Sequence, residues 1–127
     1  MSKPVYIYGL RSKEESRYGY VGQTSHPSSR LQQHLHDVVN CDGSNTPKIT
    51  WVEGVLQSNG EIVMDILEEC KSSDAANREL HWIKTFMSAG HKLTNSSLVA
   101  QAKFELYVQE LYKNKNQSLP TPILMAN

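Results

Sequence analysis

Four side chains in the first third of the chain have types and spacings suited to work on a phosphodiester. Tyr8 and Tyr20 are phenols in two short apolar segments, Tyr6-Ile7-Tyr8 and Tyr20-Val21-Gly22, and Arg30 and His34 follow shortly after. Arg30 presents a donor fork matched to phosphate oxygens and never loses its charge, which makes it the candidate phosphate clamp. Tyr8 is the candidate general base or water-positioning group, and Tyr20 would hydrogen-bond the phosphate or the attacking water. An unperturbed phenol titrates near pKa ~10, so a basic role for Tyr8 needs Arg30 or a metal to favour the phenolate. His34 could shuttle a proton, donate to the phosphate, or lie behind the site or on the surface.

These groups need elements that hold them together. Pro4 to Leu10 is rich in Val, Ile and Tyr and predicts a strand, with Tyr6 and Tyr8 on one face and Val5, Ile7 and Gly9 on the other. Tyr18 to Gln23 predicts a second strand, antiparallel to the first through the Arg11–Arg17 turn, with Tyr18 and Tyr20 sharing a face. Gly22 permits a close backbone approach or a bulge. Ser25-His26-Pro27 starts a helix that runs to Val39 or Asn40, with Leu31, Leu35 and Val38 or Val39 inward. Arg30 and His34 then lie one turn apart on a shared face.

Farther on, Asn40 to Asn45 is turn chemistry, and Thr46-Pro47 starts a helix striped by Ile49, Val52, Val55 and Leu56 that ends near Asn59-Gly60. Glu61 to Glu69 carries a near-continuous apolar run and reads as the third and most buried strand. Ser72-Ser73-Asp74 caps a helix with Ala75, Leu80, Ile83 and Phe86 or Met87 inward, closing at Gly90. Leu98 to Lys113 is a less clean helix, and the tail beyond Asn114 has no periodicity.

At 127 residues, with 39% hydrophobic and 20% charged residues, the chain suits one domain with a real core and excludes global disorder. Thirteen basic residues balance thirteen acidic ones, so nucleic-acid binding would rest on a local patch rather than on net charge. The bases Arg11, Lys13, Arg17, Arg30, Lys48, Arg78 and Lys84 are scattered, which predicts a shallow salt dependence. Cys41 and Cys70 have no CxxC spacing, the histidines have no zinc-like spacing, and no segment reads as a signal peptide. Reduced thiols in the cytoplasm are the expectation, including the nucleoid or a host cell if the chain is phage-encoded. No apolar run approaches the roughly 20 residues that span a bilayer.

In the order of its parts, the chain resembles the GIY-YIG nuclease family. Tyr6-Ile7-Tyr8 stands where the family writes G-I-Y, and Tyr20-Val21-Gly22 stands where it writes Y-I-G. Arg30, then Glu79 ahead of Trp82-Ile83, then Leu93-Thr94-Asn95 follow in family order over roughly the first hundred residues. The resemblance implies that both tyrosines belong to the site and that Glu79 is the metal ligand; a helix carboxylate suits a hard divalent cation, which needs only one or two of them. Mg2+ or Mn2+ is the implied cofactor. Some relatives carry a histidine at the position of His34. The expected catalytic set is Tyr8, Tyr20, Arg30, His34 and Glu79, and the expected substrate-binding set is Tyr6, Gly22, Gln23, Thr24 and Asn95. Asn95 would hold a loop against the site through its amide. Two departures stand out: Tyr6 replaces the first glycine, and Ser96-Ser97-Leu98 follow the asparagine where many relatives have glycines.

The expected fold is a small α/β domain, a three-stranded and mainly antiparallel sheet flanked by helices, with an added C-terminal helix. Residues 1–97 would form the nuclease-like domain, 98–114 a helix packed on that domain or on a partner, and 115–127 a flexible tail. The expected activity is metal-dependent hydrolysis of DNA phosphodiester bonds. The alternative is a catalytically weak nucleic-acid-binding or partner-docking module. DNA is the expected partner, with a homodimer or a protein partner possible through the C-terminal helix, where Phe104, Tyr107 and Tyr112 add aromatic bulk.

Overall fold

In a computed structural model, which describes residues 3–40 and 46–118 but not the side chains of 96, 97 and 114–118, three antiparallel strands and four helices form two layers around one sheet. The strands are β1 (Val5–Ser12), β2 (Tyr18–Thr24) and β3 (Ile62–Cys70), in the order β2-β1-β3. The helices are α1 (Pro27–Asn40), α2 (Thr46–Gln57), α3 (Ala75–Ser88) and α4 (Ser96–Ser118). Cys41 and the residues from 119 onward lie outside the described residues, as does most of the turn expected between α1 and α2.

The central strand is β1, and it is the most buried of the three. This corrects the expectation that Glu61–Glu69 would be most buried. β3 is an edge strand, and its Ile66 is half exposed. An apolar run signals burial on two faces, but it does not say which strand has a neighbour on each side. β1 also carries the register shifts that shape the sheet: one on the β3 side between Ile7 and Tyr8, and one on the β2 side between Leu10 and Arg11.

The second shift corrects another expectation. Leu10 pairs with Tyr20 and Arg11 with Tyr18, so Gly19 is an extra residue in β2. One inserted residue reverses the alternation of a strand, which sends Tyr18 and Tyr20 to opposite faces. A Cβ on Gly9 would run into the Tyr18 ring, and that ring packs on Phe86 and His91. Tyr20 instead faces Tyr8 and His34.

On the Tyr18 face, Ile7 and Val21 pack against Ile83 of α3 and Ala102 of α4, with Leu80, Phe86, Met87, Leu98 and Val99 around them. This is the apolar core. α1 and α2 cover the Tyr8–Tyr20 face, with the Trp51 ring of α2 lying against Gly19. The inward residues of α1 are His34 and Val38, whereas Val39 is exposed.

Helix ends follow local chemistry. Asn59 adopts φ +63° just past α2, a left-handed geometry that asparagine tolerates, and Gly60 N–H bonds the Val55 carbonyl. Asp74 sits at the N-cap of α3 but makes no side-chain capping bond, contrary to expectation. α4 runs beyond Lys113, so residues 115–118, expected in the tail, are helical. Among the described residues no helix is long and apolar enough to cross a membrane.

Candidate active site

Tyr8 stands in the middle of the central strand, fully buried at 0% exposure. Its hydroxyl lies 2.6 Å from Nε2 of His34, which is equally buried. Across the ladder Tyr8 faces Gly22, where a Cβ would collide with the Tyr8 hydroxyl and crowd the Tyr20 ring. The glycine is therefore what lets the phenol lie flat over β2. Tyr20 sets its ring 6.2 Å from that of Tyr8 and edge-on to His34 at 5.1 Å. Arg30, one turn before His34 on α1, brings its guanidinium within hydrogen-bonding reach of both phenols. Tyr8, Tyr20, Arg30 and His34 thus form one cluster, built by two strands and the first half of α1.

A fifth member was not expected. Lys48 of α2 is buried, with Nζ 3.0 Å from His34 Nδ1 and 3.6 Å from Asp37 Oδ2. It also sits 5.5 Å from the centroid of the Tyr20 ring. A signal was legible: Lys48 is one turn from Val52, so a lysine occupies the inward stripe of α2.

Burial dominates the electrostatics. It raises the Tyr8 phenol well above its ordinary range; the nearby Tyr20 adds to this, and Arg30 only partly opposes it. Tyr20 is raised for the same first reason, again against Arg30. Burial, with the Lys48 and Arg30 charges behind it, pushes His34 down to about 3. At neutral pH the cluster therefore holds two neutral phenols, a neutral imidazole and a cationic arginine. The sequence left open whether Arg30 favours a Tyr8 phenolate; in this arrangement burial outweighs it.

Glu79 reaches the cluster from α3, the other layer. It is 7% exposed, and Gln23 of the edge strand β2 donates from Nε2 to its Oε1 at 2.7 Å. Its charge is felt by both phenols. Burial raises the Glu79 carboxyl, with Gln23 partly offsetting this. Asn95 is buried beside Val21: its Oδ1 accepts the Val21 N–H at 3.1 Å and its amide donates to the Val21 carbonyl. It clips the segment before α4 to β2 and does not enter the cluster through these bonds.

The other expected substrate-binding residues are spread around the rim. Tyr6 is half-buried in a shallow hollow with Ser25, His26 and Pro27. Thr24 accepts the His26 N–H through Oγ1 and so shapes the turn into α1. Gln23, expected to meet substrate, here holds Glu79.

A family model described as the GIY-YIG catalytic domain matches residues 4–95, from the first strand through Asn95. The chain belongs to the GIY-YIG family. It thereby carries a nuclease-type catalytic domain, with α4 following the matched region. Neither the comparison with curated proteins nor that with solved structures gave a match.

GIY-YIG nucleases generally use divalent metals. Among the described residues no group of three or more His, Cys, Asp or Glu side chains is placed to hold one. Magnesium does not require such a group, since it binds through one or two carboxylates and keeps several waters. The ligand atoms around Glu79 are hard oxygens, its own carboxylate with two phenols within range of its charge, and they fit an ion that takes its remaining ligands from water and phosphate.

Proposed function

We propose that this chain is a metal-dependent endonuclease that hydrolyses DNA phosphodiester bonds at the Tyr8–Tyr20–Arg30–His34–Glu79 cluster. The observation that carries this reading is the convergence of two phenols, a guanidinium and a neutral imidazole on one sheet face with a buried carboxylate opposite. Gathering a carboxylate, a guanidinium and three polar rings out of water is costly unless they are paired, and packing alone gives no reason to gather them.

In this reading Arg30 clamps the non-bridging phosphoryl oxygens, where charge builds in the transition state. Tyr20 hydrogen-bonds the phosphate or the attacking water. Tyr8, protonated in the resting site, positions the water, and a basic role follows only when added positive charge offsets its burial. Glu79 and its neighbouring oxygens would hold Mg2+ or Mn2+, which supplies Lewis acidity and lowers the pKa of bound water. Gln23 orients that carboxylate, and Asn95 fixes β2. Tyr6, Gly22 and Thr24 line the approach to the site.

A catalytically weak binding module is the second reading, favoured by Glu79 being the one carboxylate among the described residues whose charge reaches both phenols. Incubating the chain with plasmid, branched and single-stranded DNA separates the two. Cleavage with magnesium and none with chelator supports the enzyme. Binding without cleavage in any metal supports the module.

The partner surface proposed for this chain is the outer face of α4, and its occupant a second copy. Phe104, Tyr107 and Leu111 are exposed at helical spacing. Lys103 and Glu110 flank that stripe seven positions apart, so an antiparallel pair of copies would set each lysine against the other copy's glutamate. The reading places the protein in a reducing compartment such as the cytoplasm, in keeping with the free thiol of Cys70.

A further inference from the structure

We infer that Lys48 is a positioning residue that fixes the tautomer of His34, so that His34 donates its Nε2 proton to the Tyr8 hydroxyl oxygen. An ammonium donates and has no lone pair to accept with. Its approach to Nδ1 at 3.0 Å therefore requires Nδ1 to be the acceptor, which leaves the ring proton on Nε2. That nitrogen is 2.6 Å from the Tyr8 oxygen. Tyr8 then receives hydrogen bonds from His34, and from Arg30 when the guanidinium is engaged, and its own hydrogen is directed to Tyr20 in the resting site and to a water or phosphate oxygen when substrate is bound. Should the phenol lose that hydrogen, the same two donors hold the phenolate.

The surroundings support the assignment from every side. Asp37 on α1 lies 3.6 Å from Lys48 and opposes the loss of its charge that burial favours. Gln33 donates to Asp37 and orients it. Arg30 on α1 and Lys48 on α2 both disfavour a second proton on His34. Tyr8 on β1 and Tyr20 on β2 are neutral neighbours, and Glu79 on α3 acts on the phenols. A histidine held this way can be neither a charged phosphate ligand nor a free proton carrier at neutral pH. Its contribution passes through Tyr8. Outer partners that orient metal-binding histidines typically change activity by about 10–100-fold when removed, and a loss of the same order is expected for Lys48.

The kinetic arm of this inference rests on the proposed hydrolysis, but the tautomer is read without substrate, so the two can fail separately. Nitrogen-15 NMR of histidine-labelled protein reports which ring nitrogen of His34 carries the proton. The wild type should show the Nε2–H form through neutral pH. Lys48→Met should release it toward a mixture and lower kcat by about 10–100-fold, with KM and DNA affinity changed by less than about threefold. Lys48→Arg, which also only donates, should restore the tautomer and more of the rate than methionine does. Rates are compared well below each variant's melting temperature. An Nδ1–H form in the wild type, or Lys48→Met turning over like the wild type, would overturn the inference. If the wild type cleaves no DNA, the hydrolytic reading fails and the tautomer alone decides for or against Lys48.

Discussion

On the α3–α4 face of the sheet, Tyr18 stacks with Phe86 and His91, and its hydroxyl donates to Asp65, which Arg11 also holds at 2.7 Å. On the α1–α2 face, Tyr8 and Tyr20 surround His34, with Arg30 beside them and Glu79 reaching in from α3. Both faces use tyrosine, histidine, arginine and a carboxylate. On the first, the cation and the carboxylate pair directly, and Arg11 with Tyr18 holds Asp65 below the usual carboxylate range. On the second, the arginine lies within hydrogen-bonding reach of the phenols and the carboxylate accepts from a neutral amide, so neither charge is neutralised by the other. Charges paired within a fold stabilise it; charges kept apart beside one another are available to an anion and a cation from outside.

Breaking the second face should cost rate and little stability. Glu79→Gln keeps shape and the bond to Gln23 but removes the only charge proposed to hold the metal. Cleavage should fall by about 10³-fold or more, beyond the loss from one hydrogen-bond donor. Its stability has a definite sign. The folded carboxyl titrates higher than the unfolded one, so its ionisation opposes folding as pH rises through the folded value. At neutral pH the glutamine variant should therefore melt no lower than the wild type. A variant that cuts at the wild-type rate in magnesium removes Glu79 from the site.

Arg30→Ala comes next. The loss of one preorganised donor to a developing oxyanion typically costs about 3–4 kcal/mol of barrier, or 10²–10³ in rate. A large drop in melting temperature with little loss of rate would show Arg30 to be structural, like Arg11.

His34 sharpens the contrast through pH. Its folded value is about 3, against an unfolded value near ~6.5. Between those values the unfolded chain binds the extra proton, so stability is full above about pH 6.5 and falls on acidification toward pH 3. Urea titrations of wild type and His34→Asn over this window should show a steeper decline in the wild type. Parallel curves would mean that His34 is not held neutral.

Smallest are the surface effects. Of the bases the sequence offered for holding DNA, Arg11, Lys13, Lys48, Arg78 and Lys84 are taken up in ion pairs. The salt dependence of DNA binding should correspond to about two to four phosphates. A slope twice as steep would require a basic surface elsewhere. Tyr107→Glu should leave the rate per site within about twofold and shift light-scattering mass toward the monomer, since exposed positions away from a core seldom disturb a fold. A monomeric wild type would sink the second-copy reading of α4.

Much of this was legible in the sequence because it is local. Strand–turn–strand–helix order is enough to bring Tyr8, Tyr20, Arg30 and His34 together, and the helix period places Arg30 above His34. What was not legible depends on register and on long-range packing. The extra Gly19 reverses the side of Tyr18, and nothing in Arg11–Arg17 announces it. Whether β1 or β3 lies in the middle depends on which edges find partners, not on hydrophobicity alone. Gln23, expected to meet substrate, is taken up by Glu79 once α3 packs against β2, and Lys48, though on the inward stripe of α2, finds His34 and Asp37 only when that helix docks on α1. The resemblance marked Glu79, but its burial comes from the packing of α3 against β2.

The contrast between the faces is tested most directly by one pair of substitutions, Tyr8→Phe and Tyr18→Phe, each assayed for single-turnover DNA cleavage in magnesium and for melting temperature. Each removes one buried or half-buried hydroxyl and should cost on the order of 1–3 kcal/mol of stability. Only Tyr8→Phe should lose cleavage, by about 10²–10⁴-fold, with Tyr18→Phe within about threefold of the wild type. Equal losses of rate in both variants, or wild-type cleavage by Tyr8→Phe, would contradict the assignment of chemistry to the α1–α2 face.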